Sequence, residues 1–273
     1  MKTASRIFLF VLLAVRAPAA PASPAASGGA LAEAWQTLAN YRPDQAQPRF
    51  EKLAAGAGTD SRAARFGTAL SLLAQPTAQT DRVEKARVLL TALAAEGADD
   101  LALGARFFLA RLAEFQAEPP QPAAAAEGFR RLIADHPESP WAQAAVPRLA
   151  ILLLYTPAGP AGPEARLDAA ARLLPLALRP SAVTELHLVI ADAVFHYRLA
   201  EQRALAHLLA AERAGAMDVP TRADVLVQIA ELSRLGGDAP QAAAFYDKFL
   251  AEYPRDSRQY AVRKKLAGLA GPE

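Results

Sequence analysis

The chain has 273 residues, 30 Lys and Arg against 28 Asp and Glu, and no cysteine. Without cysteine there are no disulfides, thiolate nucleophiles, Cys-ligated metals or lipid anchor on an N-terminal cysteine. A 52% hydrophobic fraction with 21% charge is that of a folded chain, and abundant Ala and Leu with few β-branched residues favour helix throughout.

The N-terminus reads as an export signal. "MKTASR" carries Lys2 and Arg6, "IFLFVLLAV" is a nine-residue apolar stretch, and Ala17-Pro18-Ala19 is an A-x-A cleavage pattern. A membrane span needs roughly 20 apolar residues, so residues 1–19 are expected to be cleaved, leaving a soluble periplasmic protein with no stable membrane anchor. Cleavage removes Lys2, Arg6 and Arg16, leaving 27 basic residues against 28 acidic ones. A near-neutral chain has no basic stripe to neutralise phosphates, so no nucleic-acid partner is expected.

Residues 20–30 form a Pro/Ala/Ser/Gly linker with no periodic pattern, expected to be disordered. From 31 to 270 the chain reads as a single helical domain. Gly and Pro punctuate it at "RPD" (42–44), "GAGTDS" (56–61), "QPT" (75–77), "EGADD" (96–100), "EPPQP" (118–122) and "HPESP" (136–140). The breaks continue with "TPAGPAGP" (156–163), "RPS" (179–181), "AGAMDVP" (214–220), "GGDAP" (236–240) and "YPRDS" (253–257). Thirteen helices and no strand follow, an all-α fold, and loops this short join antiparallel neighbours.

One phrase is written twice. "AAFYDKFLAEYPRDS" (243–257) and "AEGFRRLIADHPES" (126–139) share a small residue, large residues at i+4 and i+7, and a helix-stopping Pro. Ala242, Tyr246, Phe249 and Pro254 in one match Ala125, Phe129, Leu132 and Pro137 in the other. The spacing puts the first three on one helix face, where the small residue admits a neighbouring helix and the large ones fill the groove. Weaker copies are Ala46/Phe50/Leu53, Ala86/Leu90/Leu93, Ala169/Leu173/Leu176 and Ala204/Leu208/Ala211. A period near 40 residues in helix pairs means an α-solenoid.

The joint resembles the second helix of a tetratricopeptide repeat (TPR). The helix before it agrees, with Leu226, Ile229 and Ala230 in one copy, Leu109, Leu112 and Ala113 in the other, and Gly237-Asp238 at the turn. The clearest repeats are 106–139 and 223–256. The chain departs from the family in its longer period and in Gln116 and Ser233, which stand where the first helix carries an aromatic. Following an export signal, the phrase is also similar to exported repeat proteins of Gram-negative envelopes, those serving Tol-Pal assembly and outer-membrane β-barrel assembly. The resemblance implies a TPR-like α-solenoid, a right-handed superhelix of antiparallel helix pairs. It also implies a scaffold that binds a protein or peptide segment in its groove, lined by the first helix of each pair. Carried onto the two clear copies, the groove residues are Phe107, Ala110 and Glu114, then Asp224, Val227, Glu231 and Arg234, with Phe107 as a possible anchor and equally a possible core residue.

Little else points to chemistry. His136, His187, His196 and His207 form no HExxH and no i, i+4 pair; the last three fall on different faces or helices, so no metal site is expected. There is no nucleophile elbow, phosphate loop or dinucleotide fingerprint, and no cofactor. Asp99-Asp100 reads as a helix N-cap. Carboxylate pairs of the glycosidase kind are invisible in a sequence, which leaves an envelope enzyme acting on peptidoglycan as the alternative to a scaffold. The terminal helix, with Arg258, Arg263, Lys264 and Lys265, reads as a polar cap on the exposed end of the array.

Overall fold

The computed structural model describes residues 29–269, apart from 57–58, 76–79 and 118. The expected signal peptide lies outside the described residues, as does the expected linker up to residue 28. Gly29 and Ala30, the linker's last two residues, already belong to the first helix.

Thirteen α-helices, and no strand, make up the described residues. In chain order they are α1 Gly29–Ala39, α2 Pro43–Ala54, α3 Thr59–Ala74, α4 Thr80–Ala95, α5 Asp100–Phe115, α6 Pro122–Asp135 and α7 Pro140–Tyr155. The rest are α8 Pro163–Ala171, α9 Pro180–His196, α10 Gln202–Ala214, α11 Val219–Leu235, α12 Ala239–Glu252 and α13 Gln259–Leu269. The odd-numbered helices from α3 onward begin at residues 59, 100, 140, 180, 219 and 259. That period is near 40, longer than the 34 of a standard TPR.

Local chemistry sets the helix starts. Asp99 caps α5 by accepting from the Ala102 amide at 3.0 Å, and Ser139 caps α7 from the Ala142 amide at 3.0 Å. Asp218 and Asp238 do the same for α11 and α12. Proline occupies the first turn of α2, α6, α7, α8, α9, α11 and α12, where its missing N–H costs nothing.

The array expected over 31–270 divides into two compact units at Phe108/Leu109, inside α5. In the first, α1, α2, α3 and α4 each pack on the next. Phe50 and Ala46 are fully buried with Leu31, Ala34 and Ala64, and the Trp35 ring meets Phe50 edge-on at 4.8 Å. Arg62 and Arg65 both hold Glu96, at 2.6 and 2.8 Å, and Arg106 ties off the end of α4 through the Ala94 and Gly97 carbonyls.

In the second unit the same sequential packing runs from α6 through α13. Ala242, Tyr246 and Phe249 are all 0% exposed in a cluster with Leu226, Ala230 and Val262. Burying the two rings contributes about 2–3 kcal/mol each. Within each unit the arrangement is that of a TPR-like α-solenoid. Of the six joints read from the sequence, the one at Ala169 differs. There α8 ends at Ala171 and a 3-10 turn follows, so Leu167, Ala170 and Leu173 are buried while Leu176 is exposed. Pro175 inside that stretch stops the helix before the third position is reached.

Close helix approach is testable at Gly67. A Cβ there would run into the ring of Phe50, which is fully buried. Alanine gains about 1 kcal/mol of helix propensity over glycine, but overpacking costs about 1–3 kcal/mol, and the pinned ring cannot retreat. Gly67→Ala should therefore lower the midpoint of urea unfolding; a raised midpoint would show that α2 and α3 can separate cheaply.

Candidate functional site

In the second unit, less buried residues of α7 and α11 follow an i, i+4, i+7, i+11 stripe. On α7 it is Ala144, Arg148, Ile151 and Tyr155, all half-buried. On α11 it is Asp224, Gln228, Glu231 and Leu235, from half-buried to exposed. Neighbouring odd helices are stitched along this side. The Tyr155 hydroxyl donates to Asp192 of α9 at 2.9 Å, Arg258 donates to Asp224 at 2.6 Å, and Lys265 donates to Glu231. The even helices have their own pairs, Arg203 with Glu164 and Lys248 with Glu212, each at 2.6 Å. Half-exposed pairs of this kind contribute about 0–1 kcal/mol, so their effect is to fix register more than to add stability.

The expected groove residues fall into two groups. Phe107, Ala110 and Glu114 are 4%, 5% and 8% exposed, so on α5 the expected face is turned inward. Phe107 belongs to the core, and Ala110 faces α6 so closely that a Cβ on Gly128 would come 3.0 Å from its own. Of the residues one position further on, Phe115 is exposed, while Phe108 and Arg111 are half-buried. On α11, Asp224 is exposed, and Val227, Glu231 and Arg234 are half-buried. Val227 packs on the terminal cluster. Glu231 accepts from the Tyr246 hydroxyl, from Lys265 and, at 3.1 Å, from Arg234. Burial works against its ionisation, but Lys265, Tyr246 and Arg234 outweigh it and hold the carboxylate below its usual range. The Tyr246 phenol is pushed up, first by burial and then by that carboxylate.

Large apolar side chains end these helices at a constant interval, which the sequence reading missed. Phe115, Tyr155, Phe195 and Leu235 stand at or beside the last residues of α5, α7, α9 and α11, forty positions apart. Phe115 is 53% exposed, Phe195 37% and Leu235 62%, and Tyr155 is half-buried. The interval equals the structural period, which is where the signal lay.

Two of the histidines expected on separate faces or helices come together. His187 of α9 and His207 of α10 face each other with Nδ1 atoms 2.9 Å apart. One nitrogen donates and the other accepts, so the pair holds one proton between them. Burial, followed by the Arg213 charge, lowers His187; burial, then His187 and Arg203, lower His207 to about 4. His196 is exposed and meets Tyr155 and Tyr197 edge-on. Among the described residues no group of three or more His, Asp and Glu is placed to hold a metal, and no helix is long and apolar enough to cross a membrane.

Sequential antiparallel helix pairs closed by alanine-marked joints define the class, a helical-repeat protein of TPR-like arrangement. In comparison with solved structures, the chain is similar to a thermophilic TPR protein of Thermus thermophilus, at 21% identity and a TM-score of 0.40, covering 77% of this chain and 98% of that one. No family model matches the chain, and no curated protein matches it. The class rests on the helix packing itself.

Two outcomes follow. Glu231→Ala strips the acceptor from a buried phenol and two cations, and should cost about 1–3 kcal/mol in denaturant unfolding; a change within ~0.5 kcal/mol would make Glu231 an ordinary surface residue. The folded state favours neutral imidazoles at 187 and 207, so it binds fewer protons than the unfolded chain. That stabilisation is complete above pH 6.5 and is lost as pH falls toward 4. Between pH 7.5 and 5 it should lower stability by about 1–2 kcal/mol, and His207→Gln should flatten this part of the melting-temperature profile relative to the unaltered protein.

Proposed function

We propose that this protein is an exported repeat scaffold of the TPR family that holds a segment of another protein along the odd-helix face of its second unit, serving cell-envelope assembly or maintenance. The observation that carries the reading is the row of Phe115, Phe195 and Leu235, exposed at the forty-residue period of the fold. Isolated apolar residues on a surface need no explanation. A row that repeats with the scaffold is different, because it offers an extended chain one apolar contact per repeat.

Of the residues expected to line the groove, Asp224, exposed on α11, and Arg234, half-buried there, are assigned to this face, while Val227 packs on the terminal cluster. Glu231 contributes by holding α11 to α12 and α13, and Phe107, Ala110 and Glu114 by packing α5. Export is supported by the charged, apolar and A-x-A order of residues 1–19.

Photo-crosslinking in living Gram-negative cells tests both parts. A photoreactive residue replacing Leu235 or Phe195 should yield a discrete protein adduct in the periplasmic fraction. The same residue replacing Tyr41, which is 94% exposed in the other unit, should not yield that adduct. Identical adducts from all three positions, or none, would remove the face from consideration. Release of muropeptides from peptidoglycan by the purified protein would replace the scaffold with an enzyme.

A further inference from the structure

Three rings and a carboxylate meet where α7 and α9 end. Tyr155, the last residue of α7, sets its ring 5.0 Å from that of His196, the last residue of α9, at an angle of 82°. The Tyr197 ring stacks with Tyr155 within 18° at 6.2 Å and meets His196 edge-on at 4.8 Å. Both phenols are anchored, since the Tyr197 hydroxyl donates to the Leu154 carbonyl and the Tyr155 hydroxyl donates to Asp192. Burial first, and then the Asp192 charge, push the Tyr155 phenol up, which keeps it a donor. Asp192 stands one helical turn before His196, on the same side of α9.

What this group lacks is a cation. Asp192 is half-buried, and among the described residues its one hydrogen bond comes from the neutral Tyr155 hydroxyl, with no basic side chain paired to it. Asp224 and Glu231 of α11, by contrast, each hold a base. A phenol leaves the carboxylate charge uncompensated, and partial burial strengthens what that charge can attract. The ring faces add to it, because an aromatic quadrupole is negative over the plane. Arg198, exposed and next along the chain, makes no ion pair or ring contact among the described residues, whereas Arg111 and Arg258 lie over rings of their own. His196 and its neighbour Phe195 are exposed, so the group is open to a side chain from outside.

We propose that Tyr155, His196, Tyr197 and Asp192 form a cation-binding position that takes an Arg or Lys side chain of the partner segment, while an apolar neighbour of that residue packs on Phe195. This rests on the odd-helix face being the partner surface, since Tyr155 and Phe195 belong to its apolar row, and it adds the charge that the partner must carry. Commitment to a base follows from charge complementarity between an unpaired carboxylate, three ring faces and a positive head. The stem of an Arg or Lys lies along the rings while its head reaches the second oxygen of Asp192.

Phage-displayed dodecapeptides from a degenerate library, selected on the full protein, test position and face separately. Selected peptides should be enriched in Arg or Lys adjacent to an aliphatic or aromatic residue. The best of them, made synthetically, should bind about tenfold more weakly to Asp192→Asn, and as weakly to the unaltered protein once its base is replaced by Gln. Asp192→Asn keeps an oxygen to accept from Tyr155, so its melting temperature should be unchanged. His196→Ala, at an exposed position, should weaken binding about threefold, and His196→Phe should restore it. Peptides without a base, or basic peptides that bind Asp192→Asn and His196→Ala undiminished, would overturn the cation position; if Leu235→Ala still weakens them, the face stands. No enrichment at all would overturn both. Micromolar binding of choline or spermidine that Asp192→Asn abolishes would assign the position to a free amine and also overturn the proposal.

Discussion

Helices meet in this protein where an alanine on the even-numbered partner removes bulk and a large residue four positions on fills the remaining space. Ala46 with Phe50, Ala86 with Leu90, Ala125 with Phe129, Ala204 with Leu208 and Ala242 with Tyr246 all show 0–2% exposure. The close approach is what the larger residue needs, because a ring gains its full burial only when the opposing backbone is near. Gly67 opposite Phe50 and Gly128 opposite Ala110 take the same principle to its limit. The one joint that departs, in α8, does so where Pro175 shortens the helix.

Once each pair is closed in this way, the remaining freedom is how one pair slides along the next. Ion pairs and hydrogen bonds between helices of the same parity act on that freedom. Arg258 to Asp224, Lys265 to Glu231 and Tyr155 to Asp192 span 34 to 37 residues, a separation that belongs to the repeat and not to a single helix. Individually weak contacts set register because each is satisfied at only one offset.

Function is left to what this framework does not consume. Acids such as Asp192, Asp224 and Glu231 help to hold helices together, while the apolar helix ends at Phe115, Phe195 and Leu235 stay exposed. The His187–His207 contact belongs to the framework instead, since it joins the two helices of one pair and is half-buried between them.

The sequence by itself determined the helices, their caps and their joints. Ala-x-x-x-large spacing, Ser or Asp before the first turn and Pro after the last are local patterns, and local patterns survive without knowledge of neighbours. Even the forty-residue interval of Phe115, Tyr155, Phe195 and Leu235 was present in the letters. Only the tertiary structure decided which residues of α5 are buried: Phe107, Ala110 and Glu114 turn inward while Phe115, one position beyond Glu114, is exposed, and that phase depends on what the helix packs against. The pairing of His187 with His207 and the engagement of Glu231 by three donors are likewise contacts between helices, fixed by packing and invisible to any pattern within one of them.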